Sequence, residues 1–268
     1  MKKAIVLLMI GVVIIIVSSY GLCKNNFTKA SSNSESSDVV DFDSSSLEYQ
    51  YSYNMIKKDF KNVNFVNGLD RLFIKEDALW VHYPVNSSGI NDSGTMINSK
   101  IESANEYTLE YEIFFDGCGK DFDWQEGGVL SGLAGGEFYD GSQSTTRKDG
   151  FHAMLTYNNY GYLYPLIYSA SDKNVDGMLF QNIGKISEYT FIKIKMYVKI
   201  NDKGKDNGIF RVWLNDNLCF NNETITYTTE NNKIDTNNLC VYNYASNKSL
   251  DSEQFVYIDN YYLQKNSK

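Results

Sequence analysis

Histidine is almost missing from this chain. Only His82 and His152 occur in 268 residues, which excludes a metal centre built on three or more imidazoles. Cysteine is scarce too, and Cys23, Cys118, Cys219 and Cys240 match no zinc-module spacing. The strings GxSxG and HExxH and the phosphate-binding loop are absent. No solenoid-type repeat and no long helical period is found. Positive charge is in deficit: the net charge is −8, which disfavours a bare polyanion such as DNA as partner. No motif calls for a cofactor, and no nucleic-acid partner is expected.

The chain opens on Met1-Lys2-Lys3 and the apolar run AIVLLMIGVVIIIVSSYGL. At roughly 18 residues the run is near bilayer-spanning length, and its flanking charges keep the N-terminus inside. Residues 1–22 therefore read as a signal peptide or a signal anchor. An A-x-A site is lacking, and Leu22 is too large for a good lipid-attachment box before Cys23. The remainder is expected to be extracellular or on the cell surface, touching the membrane only through this segment. Residues 23–48, serine-rich and acidic, bury too little to order themselves and read as a disordered linker.

Residues 49–268 are long enough for one domain with a sizeable core. Strand signals recur throughout: LFIKEDALWVHYP, YTLEYEIFF, FHAMLTY, YLYPLIY, FIKIKMYVKI, IFRVWLN, LCVYNYA and FVYIDNYYL. In FIKIKMYVKI, Ile192, Ile194, Met196, Val198 and Ile200 alternate with Lys193, Lys195, Tyr197 and Lys199. YQYSYNMIKKDFKN is the single plausible helix, and a short one. Many short strands with polar turns predict an all-β antiparallel sandwich or jelly roll. The 21 tyrosines suit either strand positions or a sugar-binding face, where a ring packs on C–H groups and its hydroxyl hydrogen-bonds. Three cysteines in this part allow one disulfide, with Cys219–Cys240 the simplest pair, or buried thiols throughout. A monomer is expected.

The most informative stretch runs from Asp121 to Pro165. It opens DFDWQEGGVLSGLAGG, whose glycine pairs mark turns with positive φ or close backbone approach. A polar loop, GSQSTTRKDG, leads into FHAMLTY, the turn NNYG and YLYPLIY, which together read as a hairpin. His152, Met154 and Thr156 share one face of the first strand, and Tyr162 and Tyr164 share one face of the second.

These strings resemble polysaccharide lyase family 14 and its relatives, the alginate and glucuronan lyases. The corresponding family strings run close to DFDFxxGGKLPGLxGG, FSARLMWR and YxYHP. The resemblance begins at Ala78, ends near FVYIDNYYL and, with weaker similarity upstream, covers roughly Tyr49 onward. It implies a β-jelly roll whose concave sheet holds a sugar chain, and an acidic, uronate-containing polysaccharide as partner. The family tyrosines fall on Tyr162 and Tyr164. The histidine after them is absent, since Tyr164 runs into Pro165. The family lysine falls on Val129, the proline on Ser131, the serine on His152 and the arginine on Met154.

Lyases of this kind cut by β-elimination: a base removes the C5 proton, the bond from C4 to its oxygen breaks, and an acid protonates that oxygen. The uronate carboxylate must be neutralised as charge grows beside it. The candidates for proton transfer are Tyr162, Tyr164 and His152. Lys193, Lys195 and Arg147, the last beside Lys148, are candidates for substrate binding, the two lysines from the same concave sheet. The expected function is an exported polysaccharide lyase-like protein. The alternatives are an inactive cell-surface carbohydrate-binding module of the same fold and a structural surface protein with no glycan ligand.

Overall fold

The computed structural model describes residues 37–40, 42, 48–136, 150–169 and 178–266. Numbered in chain order, the strands begin with β1 (Ser37–Val40), β2 (Tyr49–Gln50), β3 (Val63–Asn67), β4 (Leu72–Lys75), β5 (Ala78–Tyr83) and β6 (Thr95–Ala104). They continue with β7 (Glu106–Asp116), β8 (Gly128–Gly135), β9 (Phe151–Tyr157), β10 (Tyr162–Tyr168), β11 (Met178–Leu179) and β12 (Gly184–Lys185). The last are β13 (Ile192–Lys199), β14 (Gly208–Leu214), β15 (Asn217–Ile225), β16 (Ile234–Asn243) and β17 (Gln254–Lys265). Among the described residues two short α-helices, α1 (Tyr53–Asp59) and α2 (Gly89–Asp92), and one 3-10 turn, Leu69–Arg71, accompany the strands. α1 is the helix the sequence predicts. Ser52 caps it, its side chain accepting from the Met55 amide at 3.4 Å.

The strands form two antiparallel sheets. The first runs β15-β14-β13-β7-β17-β5-β4-β2, with β1 added beside β17. The second runs β11-β10-β9-β8-β16-β6-β3, with β12 also paired to β10. The inner faces close on one core, where Leu109, Ile113, Ile194, Met196 and Val198 of the first sheet belong to the same buried cluster as Leu130, Leu133, Leu155 and Ile167 of the second. Each such side chain contributes about 1.5–3 kcal/mol on burial. The fold is thus an all-β sandwich, built from the period-two alternation visible in the sequence.

Three expectations need correction. Ser37–Val40, inside the stretch read as a linker, pairs with Tyr261–Gln264 of β17. Val40 and Phe42 are buried, so these apolar residues tie that stretch to the sandwich. Cys219 and Cys240 form no disulfide: one lies on β15 of the first sheet and the other on β16 of the second. Lys193 and Lys195 lie on β13, in the first sheet, whereas His152 and the tyrosine pair lie on β9 and β10 of the second. The signal segment, residues 1–22, lies outside the described residues, as does much of 23–48.

The glycine pairs behave as turn and sheet markers. Gly127 and Gly136, at φ +94° and +74°, flank β8. Within β8 a Cβ on Gly132 would stand 2.3 Å from the Ala153 carbonyl oxygen and 2.7 Å from Met154 Cβ. Strand β8 therefore sits tightly against β9.

Candidate functional site

Alternation sorts the β9–β10 hairpin into two faces. Phe151, Ala153, Leu155, Tyr157, Leu163 and Ile167 enter the core. His152, Met154 and Thr156, with Tyr162, Tyr164, Leu166 and Tyr168, turn to the outer face. The register sets His152 opposite Tyr168, Met154 opposite Leu166 and Thr156 opposite Tyr164. Across the sheet, Val129 of β8 and Cys240 of β16 join Met154 and Leu166 in a small apolar patch. Met96, Tyr168, Tyr242 and Tyr244 pack against it.

Tyr164 is held by the hairpin turn. Asn158 Oδ1 accepts the backbone N–H groups of Tyr160 and Tyr162, each at 3.0 Å. Its Nδ2 is thereby turned toward Tyr164, donating to the Oη at 3.2 Å. Because that oxygen accepts, the phenolic proton of Tyr164 stays free to be donated elsewhere. Tyr244 is in the opposite situation. The Thr156 hydroxyl donates to Gly128 O at 2.6 Å, so the 2.9 Å contact between Thr156 Oγ1 and Tyr244 Oη uses the tyrosine's proton. Burial pushes the pKa of both Tyr242 and Tyr244 above the ordinary tyrosine value, which keeps them protonated at neutral pH.

The predicted residues are only partly brought together. Tyr162 and Tyr164 share the outer face, with Tyr162 the more exposed. His152 lies four residues along β9 from Thr156, about 13 Å at strand rise, and is 1 % exposed. It therefore keeps company with Tyr168, not with Tyr162 and Tyr164. Lys193 is committed on the other sheet, its Nζ 3.0 Å from Glu110 and 2.9 Å from Asp216. Lys195 lies there too, with Nζ 5.5 Å from the Trp213 ring centroid. Arg147 and Lys148 lie outside the described residues.

Two cations on the second sheet were missed. Lys185 of β12 pairs with Tyr162 and places its Nζ 5.5 Å from that ring centroid. Lys100 of β6 is tied to Asp235 at 3.1 Å and to Thr236 Oγ1 at 3.0 Å. Nothing in the string GKI around Lys185 marks it; only the pairing of a two-residue strand brings it there. Tyr168 had a readable signal, since it continues the period-two series of Tyr162, Tyr164 and Leu166.

An antiparallel β-sandwich with a tyrosine-rich outer face on one sheet has the character of a carbohydrate-active protein. The chain belongs to the polysaccharide lyase 14 family, whose family model matches residues 74–246. Among solved structures it is similar to an alginate lyase Aly36B double mutant in complex with alginate trisaccharide. The TM-score is 0.74 and the identity 21 %, over 87 % of this chain and 99 % of that one. It is also similar to the marine PL-14 alginate lyase from Aplysia kurodai, at TM-score 0.67 and 17 % identity over 84 % of this chain and 100 % of that one. The endo-β-1,4-glucuronan lyase from the fungus Trichoderma reesei aligns at TM-score 0.53 and 12 % identity, over 82 % and 95 % of the two chains. No curated protein sequence matches.

Proposed function

We propose that this protein binds an acidic, uronate-containing polysaccharide along the outer face of the second sheet, the concave face of a jelly roll, and cleaves it by β-elimination. The observation that carries the reading is the Asn158–Tyr164 contact. A phenol whose oxygen accepts from a fixed amide, and whose proton is uncommitted, is a ready general acid for the leaving 4-oxygen. We assign the base to Tyr162, two residues away on the same face, and charge compensation to Lys185 beside it. In the step, Tyr162 as its phenolate takes the C5 proton and becomes the neutral phenol, the C4–C5 double bond forms, the C4–O bond breaks and Tyr164 protonates the departing oxygen, itself becoming the phenolate. His152, buried and opposite Tyr168, takes no part in these proton transfers and serves the packing of the sheet. Similarity to alginate and glucuronan lyases supports the substrate class.

A second reading has its own observation. Val129 and Met154, where the family keeps lysine and arginine, are built into the apolar patch. Loss of one transition-state partner typically costs about a hundredfold to a thousandfold in rate. A carbohydrate-binding module with residual or no cleavage fits that patch.

Cleavage creates a double bond conjugated to the carboxylate, which absorbs in the near ultraviolet. Incubation with alginate and glucuronan is expected to raise that absorbance slowly. Tyr164→Phe is expected to abolish the rise. Asn158→Asp keeps an acceptor for the turn amides but takes up the Tyr164 proton, and is expected to cut the rate about a hundredfold. Flat absorbance in protein that binds a uronan would leave the binding-module reading. Cleavage unaffected by Tyr164→Phe would remove the assigned acid.

Export is part of the proposal, supported by Lys2, Lys3 and the apolar run after them. External protease on intact cells is expected to digest the domain; a protected cytosolic protein would refute it.

A further inference from the structure

The outer face of the second sheet carries a chain of three amides that ends unpaired. Asn64 of β3 donates from Nδ2 to Asn98 Oδ1 at 2.6 Å. Asn98 of β6 donates in turn to Asn238 Oδ1 on β16, also at 2.6 Å. The ladder stops there. Asn238 is 1 % exposed and its Nδ2 has no hydrogen-bond partner among the described residues. A buried amide donor left unmade costs about 1–3 kcal/mol. Trp80 Nε1 and the Tyr111 hydroxyl are also buried without a partner among the described residues, but both belong to the first sheet, whereas Asn238 lies on the outer face of the second. Reversing all three amides would not cure it, since a buried carbonyl would then be left open at Asn238 instead.

The position of the open end is telling. Asn238 faces Gly132 of β8, and Gly132 faces Met154 of β9. Gly132 carries no side chain, so Met154 is the next outer-face group in that row, packed with Met96 in the apolar patch. Methionine has three rotatable bonds and repacks at little cost, which gives the buried amide a route to the surface. The family arginine aligns with Met154 itself. A neutral donor therefore stands beside the place where the cation has been lost.

We propose that Asn238 binds the uronate carboxylate, its Nδ2 donating to a carboxylate oxygen at the end of the Asn64–Asn98–Asn238 ladder. This rests on the reading that the face holds an acidic glycan. Each amide orients and polarises the next, so the last N–H is a stronger donor than an isolated amide. In place of a guanidinium the site offers a neutral donor set in low dielectric, where a hydrogen bond to an anion is strong. Met154 and Met96 move aside as the sugar ring seats.

The test compares a polyuronate with its carboxyl-reduced, uncharged form, using affinity electrophoresis of the wild-type chain and of Asn238→Leu. The variant is expected to lose about ten- to hundredfold affinity for the polyuronate and to keep its affinity for the reduced polymer. Unchanged polyuronate affinity, or an equal loss on both polymers, would overturn the inference alone. Failure of the wild-type chain to bind any polyuronate would overturn the reading beneath it. A second measurement avoids substitution: in 15N-labelled wild-type protein, the Asn238 side-chain amide resonance is expected to shift with an oligouronate and not with its reduced counterpart. A resonance that stays in place while oligouronate binds would also overturn the proposal.

Discussion

His152 on β9 lies directly opposite Tyr168 on β10, on the outer face of the second sheet. That pairing separates the histidine from Tyr164, which lies opposite Thr156 at the other end of the hairpin. A side chain 1 % exposed acts first through packing. His152→Ala is therefore expected to lower unfolding free energy by about 2–4 kcal/mol, the range for emptying a large buried site. A urea titration followed by tryptophan fluorescence checks it. An unchanged midpoint would mean that the imidazole is not packed as described.

Lys193 and Lys195 lie on the opposite sheet from the tyrosines, whereas Lys185 sits beside Tyr162. Alanine at 193 or 195 is expected to leave polyuronate affinity unchanged. Lys185→Ala is expected to weaken it on the order of threefold, as for an exposed charge contact. Titration of each variant with one polyuronate at fixed salt decides between them.

Gly127 enters β8 at φ +94°, and a Cβ there would stand 2.1 Å from the Tyr157 carbonyl oxygen. Both the backbone region and the contact exclude a side chain. Gly127→Ala is expected to destabilise by about 2 kcal/mol or more, seen as a lowered Tm. Because Tyr157 ends β9, the shift would also disturb the Asn158 turn and so slow any cleavage.

His82 carries a pH dependence of its own. Burial is the larger effect and lowers its pKa below the ordinary 6.5, although Glu253 at 3.9 Å pulls the other way. The unfolded chain therefore takes up a proton at higher pH than the folded one does. Stability is unaffected by this group well above about pH 6.5 and falls as pH drops below it. His82→Gln is expected to flatten that part of the curve in urea midpoints measured from pH 8 to pH 5. A variant curve as steep as that of the wild type would assign the slope to other groups.

Much of the fold was legible in the residues. Alternation in FIKIKMYVKI and FHAMLTY is a local property, because a strand's side chains point to opposite faces whatever lies beside it. The sequence alone thus determined strands β7, β9, β10, β13, β14, β16 and β17, the Asn158 turn, the short helix α1 and the placing of Tyr162 with Tyr164 on one face. The glycine pairs were equally local, since they mark turns that L side chains rarely adopt.

What local pattern cannot state is which sheet a strand joins, or what stands opposite a residue across a strand pair distant in sequence. Lys193 and Tyr164 both lie on outward faces, yet of different sheets, because β13 pairs with β7 and β14 while β10 pairs with β9, β11 and β12. Asn98 and Asn238 stand 140 positions apart and meet only because β6 and β16 are neighbours. Sheet order depends on how the whole set of apolar faces closes on one core. The tertiary structure alone therefore decided the company of His152, the place of Lys185 and the unpaired end of the asparagine ladder.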